Sequence, residues 1–427
     1  MWPKPSESTL VSEKQSLPPI TKRYLLVIGL ECYCDEKGSR YLEALWYKDL
    51  IEHFQYLKNF TLASPCVKQK PPENAILLDN DPSFSGVQFI DLPSPNNSFV
   101  QEIMSVPTTA LLLWKAIGQA DIVHSTVAGW PIPLGWLVTP MVKLRKKLYV
   151  LIVESAFWRL QPGIPATIQA RIRAYISEVL NRWCVNEADL SLFTQEEYRK
   201  SLLTKGEERG HVINASWIDE ENIITHADAT EIWHKKFSPS TQELKILFAG
   251  RLTPTKGVLI LLEAMKLLDE ENIPIKLDIL GQGELFSECE KASKSLKNSV
   301  NIRMRGTVSY GRKFLQLLQE YHAVVVPSLS DEQPRIVYDA YSQAVPLLGS
   351  DTAGLRDCIQ DGKTGMLTRS NDPVALADLL KWSLKNMNQL ESMGMTALKI
   401  AHSLTHQKMH QKRWSLLLKM VDKLATP

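Results

Sequence analysis

At 427 residues the chain is too long for one ordinary core, and two domains of roughly 150–200 residues are expected. Its 44% hydrophobic and 22% charged residues, with no low-complexity tract, are those of a globular protein. A net charge of +2 leaves no concentrated basic face for a phosphate backbone, which excludes nucleic acid as a partner. Of the six cysteines only Cys32 and Cys34 lie close together, too few for a zinc spacing, and reduced thiols in a cytoplasmic protein are the simpler reading.

Residues 1–22 are polar and proline-rich, lack the basic start and apolar run of a signal peptide, and read as a flexible lead-in. Continuous apolar runs then predict strands at 24–30, 60–65, 75–79, 121–126, 148–155 and 190–194. Helical patterns cover 41–58, 98–119, 165–182 and 195–204. The alternation predicts a doubly wound α/β domain over 23–225. Residues 122–142 approach membrane-spanning length, but His124 and three prolines suit a buried loop and helix better.

The polar stretch 226–243 reads as a connection between domains. A second α/β domain follows over 244–386, with strands at 245–251, 275–283, 301–306, 322–328 and 345–351 and helices at 258–272 and near 284–297. From 373 the pattern is helical to the end, broken near Gly394, and residues 387–427 form a tail able to pack back onto the first domain.

In open α/β sheets ligands bind beyond the carboxyl ends of the strands. After KILFA come Gly250, Arg251 and, five residues on, Lys256 and Gly257, a turn carrying two cations that suits a diphosphate or is a solvated surface loop. After IKLDIL comes Gly281-Gln282-Gly283, a weak signal by itself. After HAVVV the stretch PSLSDEQPRIVYDA carries Asp331 in a loop and Asp339 on the helix expected to start near Pro334 or Arg335. A helix start offers free N–H groups and a favourable dipole to an anion, and the two carboxylates would suit sugar and ribose hydroxyls. No G-x-G-x-x-G follows the first strand, which weighs against a dehydrogenase.

The ordered set GRLTPTKG, LDILGQGE, RGTVS, PSLSDEQPRIVYDA and VPLLGSDTAGLRDCIQDGKTG, over roughly residues 244–386, resembles the C-terminal domain of family-four glycosyltransferases of the GT-B fold. The resemblance implies two Rossmann-like domains facing a cleft that holds a UDP- or GDP-sugar. It implies retaining transfer to a carbohydrate or glycolipid hydroxyl, with no metal or other cofactor required. Bacterial surface polysaccharide or glycolipid assembly, at the cytoplasmic side of a membrane, would be the setting. Arg251 and Lys256 would hold the diphosphate, Asp331 the donor sugar and Asp339 the ribose. Gly250, Gly281, Gly283, Val308, Gln333, Arg335, Ile336 and Val337 would line the donor.

Both acidic positions of the family's E-x7-E element are aspartates here, Glu332-Gln333-Pro334 replaces its glycine-rich turn, and Ala353 and Asp357 replace a later Gly and Glu. In the first domain the family's early G-G loop is absent from 31–50, whereas ADIVHST (120–126) resembles its D-V-V-H segment. His124 would then reach the donor sugar or pack the strand end. Glu154, Trp158 and Arg159 follow a strand and form either an acceptor wall or a structural Glu–Arg pair. The cluster KLRKK (143–147) is either a solvated helix end or a contact to anionic lipid. His402, His406 and His410, spaced i, i+4, i+8, are weighed as a metal row and set aside for want of an acidic partner. The alternatives to a glycosyltransferase are a nucleotide-sugar-binding protein without turnover and a sugar-nucleotide epimerase.

Overall fold

A computed structural model describes residues 17–94, 99–129, 132–160, 166–237, 243–296, 299–330 and 332–425. The chain divides into two compact units, one running to His124 and resuming at Arg413, the other spanning Ser125–Lys412.

The first unit opens with β1 (Ile20–Val27), so the last residues of the expected lead-in already belong to the sheet, with Ile20 buried. β1 pairs in parallel with β4 (Leu57–Val67), which also carries β6 (Gln88–Leu92) in parallel. Between them the chain departs from the expected pattern. The helix expected over 41–58 is α1 (Ala44–Tyr56), preceded by an antiparallel hairpin of β2 (Cys32–Cys34) and β3 (Arg40–Glu43). The cause is local. Asp35 accepts backbone N–H bonds from Lys37 and Ser39 at 2.9 Å each, and Gly38 adopts φ +86°, so the chain turns back. β5 (Ala75–Leu77) extends this antiparallel edge beside β3. α2 (Phe99–Gln119) leads to β7 (Ile122–Thr126). The unit also holds a buried cation: the Arg413 guanidinium donates to His53 Nε2 at 2.8 Å and lies 4.0 Å from Asp49.

The second unit continues with α3 (Leu134–Arg145), β8 (Leu148–Val153), α4 (Ile168–Glu187), β9 (Leu190–Phe193), α5 (Glu196–Leu202) and β10 (Gly210–Val212), the three strands parallel. The apolar stretch 122–142 is thus a strand and a helix, and among the described residues no helix is long and apolar enough to cross a membrane. The segment expected to connect the domains contains a helix, α6 (His226–Lys236), opened by a reciprocal Thr225–Asp228 capping box. Trp233 explains why it packs. It is fully buried, its indole N–H bonded to Ala344 O at 3.0 Å.

The second sheet is fully parallel: β11 (Leu244–Ala249), β12 (Ile275–Leu280), β13 (Val300–Gly306), β14 (Ala323–Val326), β15 (Leu347–Ser350) and β16 (Gly365–Thr368). Its order is β13-β12-β11-β14-β15-β16. Successive residues serve opposite faces, as a strand requires. Ile246 and Ile279 join a core with α7 (Val258–Glu270), α8 (Phe286–Ser295) and α12 (Pro373–Lys385). Leu247 and Val324 join the opposite core with α9 (Arg312–Leu318), α10 (Ile336–Ser342) and α13 (Met387–Ala401), while α11 (Ala353–Arg356) contributes Leu355. α13 runs unbroken through Gly394, contrary to the expected break. That glycine is a contact point, since a Cβ there would lie 2.1 Å from Ala344 O. The helices end instead at Asn386 and His402, and α14 (His406–Ala425) follows.

His322, at the head of β14, accepts the Lys245 backbone N–H at 2.9 Å, and burial holds its pKa at about 4. Above pH ~6.5 both folded and unfolded states carry it neutral. Below that the unfolded chain takes up a proton that the folded one refuses until about pH 4. Stability is therefore expected to fall by up to about 3 kcal/mol across that window. Urea unfolding at stepped pH checks this, and His322→Gln, which keeps an acceptor, should flatten the slope. An unchanged slope in the variant would refute the assignment.

Candidate active site

The order of the second sheet reverses between β11 and β14, and such a reversal opens a crevice at the strands' carboxyl ends. Two loops flank it. The β11 loop carries Arg251, half-buried Lys256 and Gly257, and the β14 loop runs from Pro327 to Arg335. They are bonded to one another: Leu329 N–H donates to Thr255 O at 2.9 Å. Gly257 sits at φ +71° where a Cβ would lie 1.7 Å from Pro327 O, so only glycine permits this approach. Across the same seam Lys256 Nζ meets Glu332 Oε2 at 3.1 Å.

The predicted glycines let the loops after β11 and β12 approach closely. Gly281 and Gly283 have φ of +149° and +156°, and a Cβ on either would meet Gly250 O at 1.9 Å or Leu252 O at 2.4 Å. Gly250 N–H donates to Leu280 O at 3.0 Å and Leu252 N–H to Gln282 O at 2.8 Å. The β12 loop thereby supports the backbone that presents Arg251, which is exposed.

On the β14 side, Asp331 lies outside the described residues. Arg335 caps α10, a helix of only seven residues, and its guanidinium stacks 4.9 Å over the Trp217 ring. Ile336 is half-buried and the Val337 side chain is fully buried in the core, so Val337 can offer a ligand only backbone. The amide atoms of Gln333 are buried within the loop, and Val308 is exposed. Asp339 is buried and accepts the Tyr310 hydroxyl at 3.0 Å. Burial and then the Asp339 charge push the Tyr310 phenol well up, so it remains a donor to that carboxylate. A diol at Asp339 would share or displace this bond.

Three further expectations resolve toward packing. His124 is buried in β7 with Nδ1 2.7 Å from the Tyr24 hydroxyl, and burial with nearby Arg413 holds it far below its ordinary pKa. In this conformation it is a neutral strand residue that reaches no surface. The expected Glu–Arg pair forms with another partner: Arg159 donates to Glu178 Oε2 at 3.0 Å and Oε1 at 2.8 Å, and Trp158 Nε1 to Glu178 Oε2 at 2.7 Å. Glu154 is exposed beyond β8. Trp158 walls a cavity of about 220 Å³ with Phe157, Arg173 and Asn181. The three histidines do not form one helical row. His402 caps α13 and lies 2.7 Å from Glu220, whereas His406 opens α14 and stacks on Trp217.

Sequence reasoning missed Glu332 and Tyr310 as partners. Glu332 stood in the quoted loop, and an acid facing Lys256 across adjacent strand ends was the available signal. Asp357, one of the departures, accepts the Glu196 backbone N–H at the start of α5, and burial raises its carboxyl.

Two Rossmann-like α/β domains with a cationic loop at the reversal define the class: this is the GT-B glycosyltransferase fold. Residues 229–399 match the family model described as glycosyl transferases group 1. The D-inositol 3-phosphate glycosyltransferase of Xylanimonas cellulosilytica is 30% identical over 333 residues, covering 74% of this chain and 75% of that one. Its counterpart from Nocardia farcinica is 24% identical, covering 75% and 69%. The chain belongs to the group 1 glycosyltransferase family. In fold it is similar to sucrose-phosphate synthase from Thermosynechococcus elongatus (TM-score 0.67, 15% identity, 94% and 100% covered). It is also similar to Anabaena HepE in complex with UDP (TM-score 0.62, 14% identity, 93% and 100% covered).

Proposed function

We propose that the protein transfers a hexose from a UDP- or GDP-sugar to a hydroxyl of a carbohydrate or glycolipid, with retention, in assembly of a bacterial surface glycan at the cytoplasmic side of a membrane. The observation that carries this reading is the pair of cations, Arg251 and Lys256, on the loop beside the strand-order reversal. The bond from the anomeric carbon to the diphosphate breaks, its electron pair going to the phosphate oxygen. The acceptor oxygen bonds that carbon from the same face, and its proton passes to the departing phosphate. Arg251 and Lys256 stabilise the charge that develops there, the kind of electrostatic help that most lowers such barriers. Asp331 is assigned to the donor sugar and Asp339, with Tyr310, to the ribose. No metal is invoked, because the two side-chain cations supply the neutralisation. HepE structures holding UDP and UDP-glucose favour such a donor.

The Lys256–Glu332 pair favours a second reading, a protein that binds nucleotide sugars without turnover, since the donor must first win Lys256 from a carboxylate. A thermal-shift panel of nucleoside diphosphates and their sugars tests both. A rise in Tm with one donor, followed by transfer with an unchanged anomer, supports the first reading. Binding without transfer or hydrolysis selects the second. No shift at millimolar concentration would refute the donor assignment.

A further inference from the structure

Helix α4 is amphipathic the wrong way round for a surface helix. Toward the protein it buries Ser177, Asn181, Cys184 and Val185, with Asn181 Oδ1 accepting the Trp136 indole N–H at 2.6 Å. Toward solvent it presents Ile168, Ile172, Tyr175, Ile176, Val179 and Trp183, from 77% exposed at Ile168 to 40% at Trp183. Spaced by three or four residues, these six form one continuous stripe along the whole helix. Single exposed apolar residues need no explanation, but a contiguous stripe marks a surface that something covers.

Charge selects the partner. Exposed Arg171 and Arg182 flank the stripe on one side and exposed Arg173 on the other. The helix's two glutamates are already paired, Glu178 with Arg159 at 2.8 Å and with Arg182 at 3.6 Å, and Glu187 with Lys143 at 2.9 Å. That last contact sets the KLRKK end of α3, with exposed Leu144 and Lys146, beside the Trp183 end of α4. We propose that this face of α4 docks on an anionic bilayer surface, lying in the plane of the headgroups. A bilayer takes such a helix with its apolar stripe among the acyl chains, arginine stems snorkelling and Tyr and Trp at the interface. Lysine and arginine then meet anionic headgroups. A second copy of the chain fits less well, because a two-fold contact would set the same arginines against each other. Helix α2 of the first unit also exposes Val100, Met104 and Leu111, but there Glu102 and Lys115 balance and charge selects nothing.

The inference deepens the glycolipid part of the proposed function and rests on it only for the reason a bilayer is visited. The test omits donor, so its failure leaves the donor assignment standing. The purified full chain is floated with phosphatidylcholine vesicles, with or without phosphatidylglycerol. Flotation is expected with the anionic vesicles only, weakening as salt rises. The triple variant Ile172→Ser, Ile176→Ser, Val179→Ser should bind at least about tenfold less at unchanged Tm. Arg171→Gln with Arg182→Gln should lose the preference for anionic lipid. The proposal is overturned if the wild type does not float or the triple variant floats equally. It is also overturned if light scattering finds a dimer that the triple variant renders monomeric.

Discussion

Lys256→Ala is expected to lower kcat about 10²- to 10³-fold, a loss of about 3–4 kcal/mol of transition-state stabilisation, with little change in Tm. The charge on the departing phosphate is largest in the transition state, so removing a cation aimed at it acts on kcat rather than on donor binding alone. The fold should tolerate the change. Among the described residues Lys256 makes one ion pair, to Glu332 at 3.1 Å, and both side chains are partly exposed, 20% and 33%. Such a pair contributes only about 0–1 kcal/mol. Arg251→Ala should behave alike, since its side chain is exposed and the Gly250–Leu252 backbone is held by Leu280 and Gln282. Glu332→Gln separates the roles: it frees Lys256 and should lower KM for the donor. Turnover near wild type in both alanine variants would refute the phosphate assignment.

Gly281→Ala is expected to cost about 3 kcal/mol or more in stability and to abolish most transfer. Its new Cβ would stand 1.9 Å from Gly250 O, and the atoms it meets are all Gly250 backbone, which cannot swing away. The loops after β11 and β12 would have to part, taking Arg251 with them. Gly306→Ala is the control. At φ +68° it carries backbone strain, but no atom lies within 4 Å of its added Cβ, so about 1 kcal/mol is expected and transfer should persist. Calorimetric Tm and transfer rate for both variants decide the matter. Equal, small effects would mean the loops are not in rigid contact.

Much of this architecture was legible along the chain. The second sheet's first five strands and the helices around them follow from apolar runs alternating with helical periodicity, because strands covered on both faces are apolar throughout. The cationic loop was legible too, as two cations between glycines just after such a strand. The first unit's antiparallel edge was not, because the strands on either side of the Asp35–Ser39 turn are only three and four residues long, too short to show a period. Pairing across distance was equally hidden. Lys256 with Glu332 and Tyr310 with Asp339 are 76 and 29 residues apart, and only folding brings them together. Helix α4 shows the limit most clearly. Its period announces one apolar and one polar face, but period carries no information on which face turns inward. Two α/β domains and a cationic loop at a strand end follow from the order of residues alone. Packing alone decided that the glycines space loops, that Glu332 guards Lys256, and that α4 turns its isoleucines outward, because each depends on what lies opposite.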